Sequence, residues 1–239
     1  MQKKSTSFYY FYSEEKIRIP TLLIDIHTHQ PNSVGHLSIY NVPNTLEIPS
    51  GTNLVSIGLH PWYIASESLI QKFQSLEKLA ADPRVLFIGE CGLDKVCDTD
   101  FELQIRAFEL QIDLANRSKK PLMIHCVRAH NEVIHLLTES KNKMPIVFHG
   151  FNKNKQIADR ILRHGHYLSF GADLKKDLVS STFSKLPLDR IFLESDDKET
   201  DIGTLYKLAA ELLNISPEQL EPQITINLRT ILGPEFKGV

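Results

Sequence analysis

The sequence predicts an α/β protein, a TIM-like (β/α)8 barrel whose outer helices are missing or shortened after the first strands. Short apolar runs alternate with amphipathic helical patterns nearly to the C-terminus, as βα units on a parallel sheet require. The apolar runs number eight, which is the number that closes such a barrel. The chain has 239 residues, a length that α/β barrels routinely use for one domain. The expected division is therefore an N-terminal tail over residues 1–20 and a single domain over 21–239.

The first strand is read over 22–29, Leu-Leu-Ile-Asp-Ile-His-Thr-His, an apolar stretch with β-branched residues. Further strands are read near 37–42, 54–60, 85–91, 121–126, 145–150, 167–171 and 191–195. Between the first three lie only Pro/Asn/Gly/Ser-rich segments (Gln30–Gly35 and Pro43–Asn53), too short and broken for crossover helices. Later helices are clearer. The segment 68–81 places Leu69, Phe73, Leu76 and Leu79 on one stripe, and 100–117 opens with Asp100 as N-cap before Leu103, Phe108, Ile112 and Ala115. Weaker patterns follow at 130–139, 153–163 and 174–184. Helices near 203–213 and 217–231 close the chain, the last opened by Ser216-Pro217.

Composition excludes some functions. Hydrophobic residues make up 42% and charged residues 23%, with a net charge of −2. That balance suits a globular chain and gives no broad electrostatic grip on nucleic acid, so polyanion binding must rest on a local patch or on metal ions. Three cysteines without zinc-finger spacing point to free thiols in a reducing compartment. The first twenty residues, with Phe-Tyr-Tyr-Phe-Tyr at 8–12, lack the features of a signal peptide. No run is long enough to span a bilayer, so a cytoplasmic location without a membrane partner is expected. An edge strand, a disordered leader and a dimer contact all remain open for the tail, and the oligomeric state is open too, a monomer included.

In such a barrel the active site lies at the C-terminal ends of the strands. There the first run delivers His27 and His29, the third His60-Pro61-Trp62, the fourth Glu90 and then Asp94, the fifth His125, the sixth His149 and the eighth Glu194-Ser195-Asp196. One His after a strand is commonly a cap or core residue; six runs each delivering a His, Glu or Asp form a pattern. His27, His29, Glu90, His125, His149 and Asp196 supply enough ligands for two divalent ions, with Glu90 as the bridge. Such a centre activates water, and Asp196 is suited to serve as both ligand and proton acceptor. Glu90 and Asp196 are thus the expected catalytic pair.

Taken in order, Asp25-Ile-His-Thr-His, Gly58-Leu-His-Pro, Gly89-Glu-Cys-Gly-Leu-Asp, Ile124-His-Cys-Val-Arg, Phe148-His-Gly-Phe and Glu194-Ser-Asp resemble the motifs of the TatD family of metal-dependent hydrolases. Gln104-x-x-x-Phe108-x-x-Gln111 looks like that family's helix after the Glu strand, and Asn227-Leu-Arg-Thr-Ile-Leu-Gly like its C-terminal helix. The resemblance covers about 21–233. It implies a metal-dependent hydrolase barrel, two divalent ions (Mg, Mn or Zn, which the sequence does not distinguish), the same six ligands, and phosphodiester hydrolysis with DNA as substrate, often as an exonuclease. Departures fall in the loops. The segment after the first His pair is short, Trp62 stands where the family's Pro-His has His, Lys95–Thr99 is a cut-down insertion, and Asp197-Lys198 replaces Ala-Pro.

Around these ligands, three substrate-binding residues are expected. Arg128 suits a phosphate clamp, with a structural ion pair as its alternative. His60 suits substrate contact, or turn closure beside Pro61. Trp62 suits base stacking, or packing under the shortened loop. Asp94 reads as a residue that supports a ligand rather than as a ligand. Lys153, Lys155, Arg160, Arg163 and His164 read first as a solvated helix face, and Cys91 and Cys126 as packing residues. The leading expectation is a TatD-like deoxyribonuclease. An amidohydrolase-like enzyme for a small ester, lactone or amide is its rival, and a non-catalytic metal-binding scaffold is the third reading.

Overall fold

The computed structural model describes residues 22–31, 35–44, 46–234 and 236; the tail expected over 1–20 lies outside them. Eight parallel strands follow one another around the sheet in chain order: β1 (Ile24–Thr28), β2 (Leu37–Asn41), β3 (Val55–Ile57), β4 (Val85–Asp94), β5 (Leu122–Val127), β6 (Ile146–Phe148), β7 (Tyr167–Phe170) and β8 (Ile191–Leu193). A parallel bridge between Thr28 and Asp196 joins the last to the first. At that seam Asp196 N–H donates to His27 O and His29 N–H to Asp196 O, both at 3.0 Å. Below it, Asp25 accepts from Ser195 N–H at 2.9 Å and from Ser195 Oγ at 2.6 Å. The barrel expected from the sequence is present.

Among the described residues, seven α-helices accompany the strands: α1 (Leu69–Leu79), α2 (Phe101–Ser118), α3 (His130–Glu139), α4 (Lys155–Arg163), α5 (Asp177–Phe183), α6 (Ile202–Leu213) and α7 (Pro217–Leu232). Among the described residues none lies between β1 and β2 or between β2 and β3, as the broken loop sequences required. Their starts are written in side chains. Asp100, Asn154 and Asp201 accept from the backbone N–H three residues on, and Ser216 forms a capping box with Gln219, satisfying donors the helix cannot. The segment expected as one helix over 174–184 is a 3₁₀ turn, Ala172–Lys175, followed by α5. Among the described residues no helix is long and apolar enough to cross a membrane.

One difference positions the site. β4 runs to Asp94, three residues beyond its expected end, so Glu90 and Asp94 both lie on the strand. Gly92 makes this possible. Its φ is +139°, and a Cβ there would lie 2.1 Å from the His125 carbonyl oxygen. Only a residue without a side chain lets β4 approach β5 this closely. Polar side chains of α2 then fix the strand end. Buried Gln104 accepts from Asp94 N–H at 2.8 Å and donates to Asp94 O at 3.0 Å, while Gln111 accepts from Leu59 N–H at 2.7 Å, just before His60. At the other end of the sheet, Asn227 of α7 donates to Leu188 O and Ile191 O at 2.8 and 2.9 Å, anchoring β8.

Candidate metal centre

The six side chains expected as ligands converge at the C-terminal mouth of the barrel, with Glu90 among them. Its two carboxylate oxygens face different partners. Oε2 lies 3.4 Å from His27 Nε2 and 3.6 Å from His29 Nε2, and Oε1 lies 2.9 Å from His125 Nδ1 and 2.7 Å from His149 Nε2. Asp196 Oδ1 stands 3.6 Å from both His27 Nε2 and His29 Nε2. Asn41 holds Glu90 in this pose, its amide donating to Oε2 and its Oδ1 accepting from Glu90 N–H, both at 3.1 Å.

Two of the imidazoles have a carboxylate behind them. Asp94 Oδ2 accepts from His125 Nε2 at 3.0 Å, which turns Nδ1 toward Glu90. Behind His149, the wholly buried Glu194 lies 3.7 Å from Nδ1 and is itself held by Gly150 N–H at 2.6 Å. A carboxylate behind a ligating His fixes its tautomer and raises its basicity. Asn41 and Glu194 carried no role in the sequence reading. Asn41 sits on a strand that ends in no His, and its only visible signal was a polar residue among buried ones.

Electrostatics follow from this crowding. Burial opposes charge on Glu90, yet the imidazoles of His149, His125 and His27 outweigh it and hold the carboxyl well below the usual range. Asp196 is likewise lowered to about 2, with His27 and His149 overcoming its burial. Burial alone would depress His27, but Asp196 and Glu90 lift it to about 9. His149 is raised well above an ordinary imidazole by Glu90 and Glu194.

The donor set fits divalent cations on two counts. Ligand atoms about 2.1 Å from one tetrahedral ion lie roughly 3.4 Å from each other, and the contacts of His27 and His29 with Glu90 and Asp196 span 3.4–3.6 Å. That spacing is too long for hydrogen bonds. Second, neither ring nitrogen of the buried His27 has a hydrogen-bond partner among the described residues, a costly state that ligation relieves. His27, His29 and Asp196 form one group within reach of a shared ion, and His27, Glu90 and His149 another.

The remaining candidates separate. His60 closes the turn beside Pro61, its Nδ1 accepting from Trp62 N–H at 3.2 Å, while its Nε2 lies 3.1 Å from Glu90 Oε1. Trp62 is exposed, and its indole N–H donates to Asp94 at 2.7 Å. Both line a cleft of about 330 Å³ that also contains Glu90, His149 and Asp196. Arg128 is exposed, does not line this cleft, and has no ion-pair partner among the described residues. Of the basic run, Lys155 pairs with Asp159 at 2.7 Å and Arg160 with the Asn131 amide oxygen. Burial pushes the Cys91 thiol up and Cys126 to about 12, as packing residues require.

A model of the TatD related DNase family matches residues 32–233. The chain belongs to this family. A TatD-type barrel accounts for the likeness to YjjV, the TatD homologue of Escherichia coli K12, with a TM-score of 0.75 at 21% identity over 88% of this chain and 97% of that one. A TatD family hydrolase of Entamoeba histolytica superposes with a TM-score of 0.73 at 16% identity, covering 90% and 99%. In sequence, the chain is 32% identical over 192 residues to an uncharacterized metal-dependent hydrolase of Buchnera aphidicola subsp. Baizongia pistaciae, covering 73% of this chain and 72% of the relative. It is 33% identical over 147 residues to the 3'-5' ssDNA/RNA exonuclease TatD of Erwinia billingiae, covering 58% and 55%. The match thus spans little more than half the length of that TatD relative. As a TatD family member the chain is a metal-dependent hydrolase.

Proposed function

We propose that the protein hydrolyses phosphodiester bonds in nucleic acid at a centre of two divalent ions. The observation that carries this reading is the division of Glu90, one oxygen toward His27 and His29 and the other toward His125 and His149. His27, His29 and Asp196 would hold one ion, His125 and His149 the other, with Glu90 shared. Ions held there would acidify water and polarise a phosphoryl oxygen. The chain's own residues do the rest. Asp196, ionised through the neutral range and 31% exposed in its side chain, faces the cleft as proton acceptor. His60, beside Glu90, is placed to contact substrate at the same centre. Nucleic acid is supported as substrate by the activity named for the TatD relatives, and Arg128 at the outer rim is suited to phosphate further along a strand.

The test is an assay of chelated protein on single- and double-stranded DNA and RNA, with Mg, Mn or Zn restored. Cleavage is expected only with metal, at about two ions per chain. Asp196 adopts φ +56°, a conformation Asn also accepts, so Asp196→Asn removes the acceptor without straining the turn. Full metal-dependent cleavage by that variant would remove the mechanism.

A further inference from the structure

We propose that the open face of Trp62, with Tyr63 beside it, is a seat for one unpaired nucleobase, aligned with the metal centre through Asp94. The inference rests on the nucleic-acid reading above and adds to it the element that selects the substrate end. Exposure alone would carry nothing, because single exposed aromatics are common. What sets Trp62 apart is that it is 53% exposed and yet fixed. Its only polar atom donates to Asp94 Oδ2 at 2.7 Å, and the same oxygen accepts from His125 Nε2 at 3.0 Å. The indole meets the His60 ring edge-on at 5.0 Å and the His125 ring at 5.9 Å between centroids. Tyr63, 54% exposed, follows at 6.3 Å.

A ring whose polar edge is satisfied, whose orientation is locked and whose face is open is preorganised for stacking, with little ordering left to lose. It lines the same cleft as Glu90 and His149. A nucleotide whose phosphate lies at Glu90 therefore shares its cleft with this face. In a duplex both faces of a base are already covered, so seating it requires extrusion. An unpaired end is the ligand that fits.

Trp62 is the sole tryptophan of the chain, so tryptophan fluorescence reports on this ring alone. The metal-loaded protein is titrated with a short single strand whose terminal linkages resist hydrolysis, and with the same strand made abasic at either end in turn. Saturable quenching is expected with the intact strand, and about tenfold weaker binding with one of the abasic strands, in line with roughly 1–3 kcal/mol per stacked base. On cleavable strands, Trp62→Ala is expected to raise KM about tenfold while Trp62→Phe recovers most of the loss. The abasic end should add nothing further in Trp62→Ala, since both changes remove one interaction. Equal affinity for intact and abasic strands would overturn the seat, as would a Trp62→Ala effect confined to kcat, the signature of a role only in holding Asp94. Quenching by the intact strand with no cleavage under any metal would instead sink the phosphodiesterase reading and leave the seat standing.

Discussion

Asp94 shows how a single side chain sets the chemistry of its neighbours. It touches no neighbouring carboxylate of the centre, but it accepts from His125 and from Trp62 on the same oxygen. Asp94→Asn puts an amide where an acceptor is needed, and metal affinity or activity is expected to fall about 10–100-fold; isothermal titration beside the nuclease assay measures both. Protonation supplies a second expectation. His27 is raised to about 9 from 6.5, so in chelated protein its contribution to stability is full below pH 6.5 and is lost as pH rises through about 9. Thermal melts of chelated protein should fall across that window. Added metal should rescue most at the alkaline end, because ligation must displace the same protons. A melting temperature that stays level in chelator would refute this. The convergence of the six candidate ligands was legible because an apolar run ending in His, Glu or Asp is visible without coordinates. Glu194 was not, since nothing in a sequence says that a buried acid stands behind His149 rather than beside it.

At the scale of elements, β4 approaches β5 closely at Gly89 and Gly92. The strand seemed to end near residue 91 because Gly89 and Gly92 weaken a strand pattern. In the structure they are the reason the strand continues, since any side chain would meet the neighbouring backbone. Gly92→Ala should therefore destabilise the fold by more than about 1–3 kcal/mol and displace His125, whereas Gly165→Ala, with φ +79° and nothing within 4 Å, should cost only about 1–2 kcal/mol of backbone strain. Denaturant midpoints of the two variants make the comparison. Helix α2 follows the same logic. Its Gln104 and Gln111 looked like a family motif in the sequence, and in space they are the hydrogen-bonding partners of Asp94 and Leu59. The split of 174–184 into a turn and α5 escaped the helical periodicity because Lys176 is extended, at ψ 133°.

For the molecule as a whole, barrel closure depends on a small polar latch. Ser195 Oγ donates to Asp25 and lies 2.8 Å from Thr28 Oγ1, and burial lifts Asp25 to about 6 against the pull of Ser195. Ser195→Ala leaves a buried carboxylate oxygen without its hydroxyl partner, at a cost of about 1–3 kcal/mol. Faster amide exchange confined to β1 and β8 would show that the seam is what loosens. Eight strands in order were legible from periodicity alone. The latch was not, because Asp25 and Ser195 stand 170 positions apart and neither is unusual where it stands.

The Thr28–Asp196 bridge also places an event in time. Asp196 follows the strand that shuts the ring, and its neighbours His27 and His29 emerge from the ribosome long before it. A nascent chain that has reached only α5 holds every imidazole of the centre but not the closing carboxylate. Under the proposed activity, a nascent chain is therefore harmless to nearby transcripts and templates until residue 196 is in place.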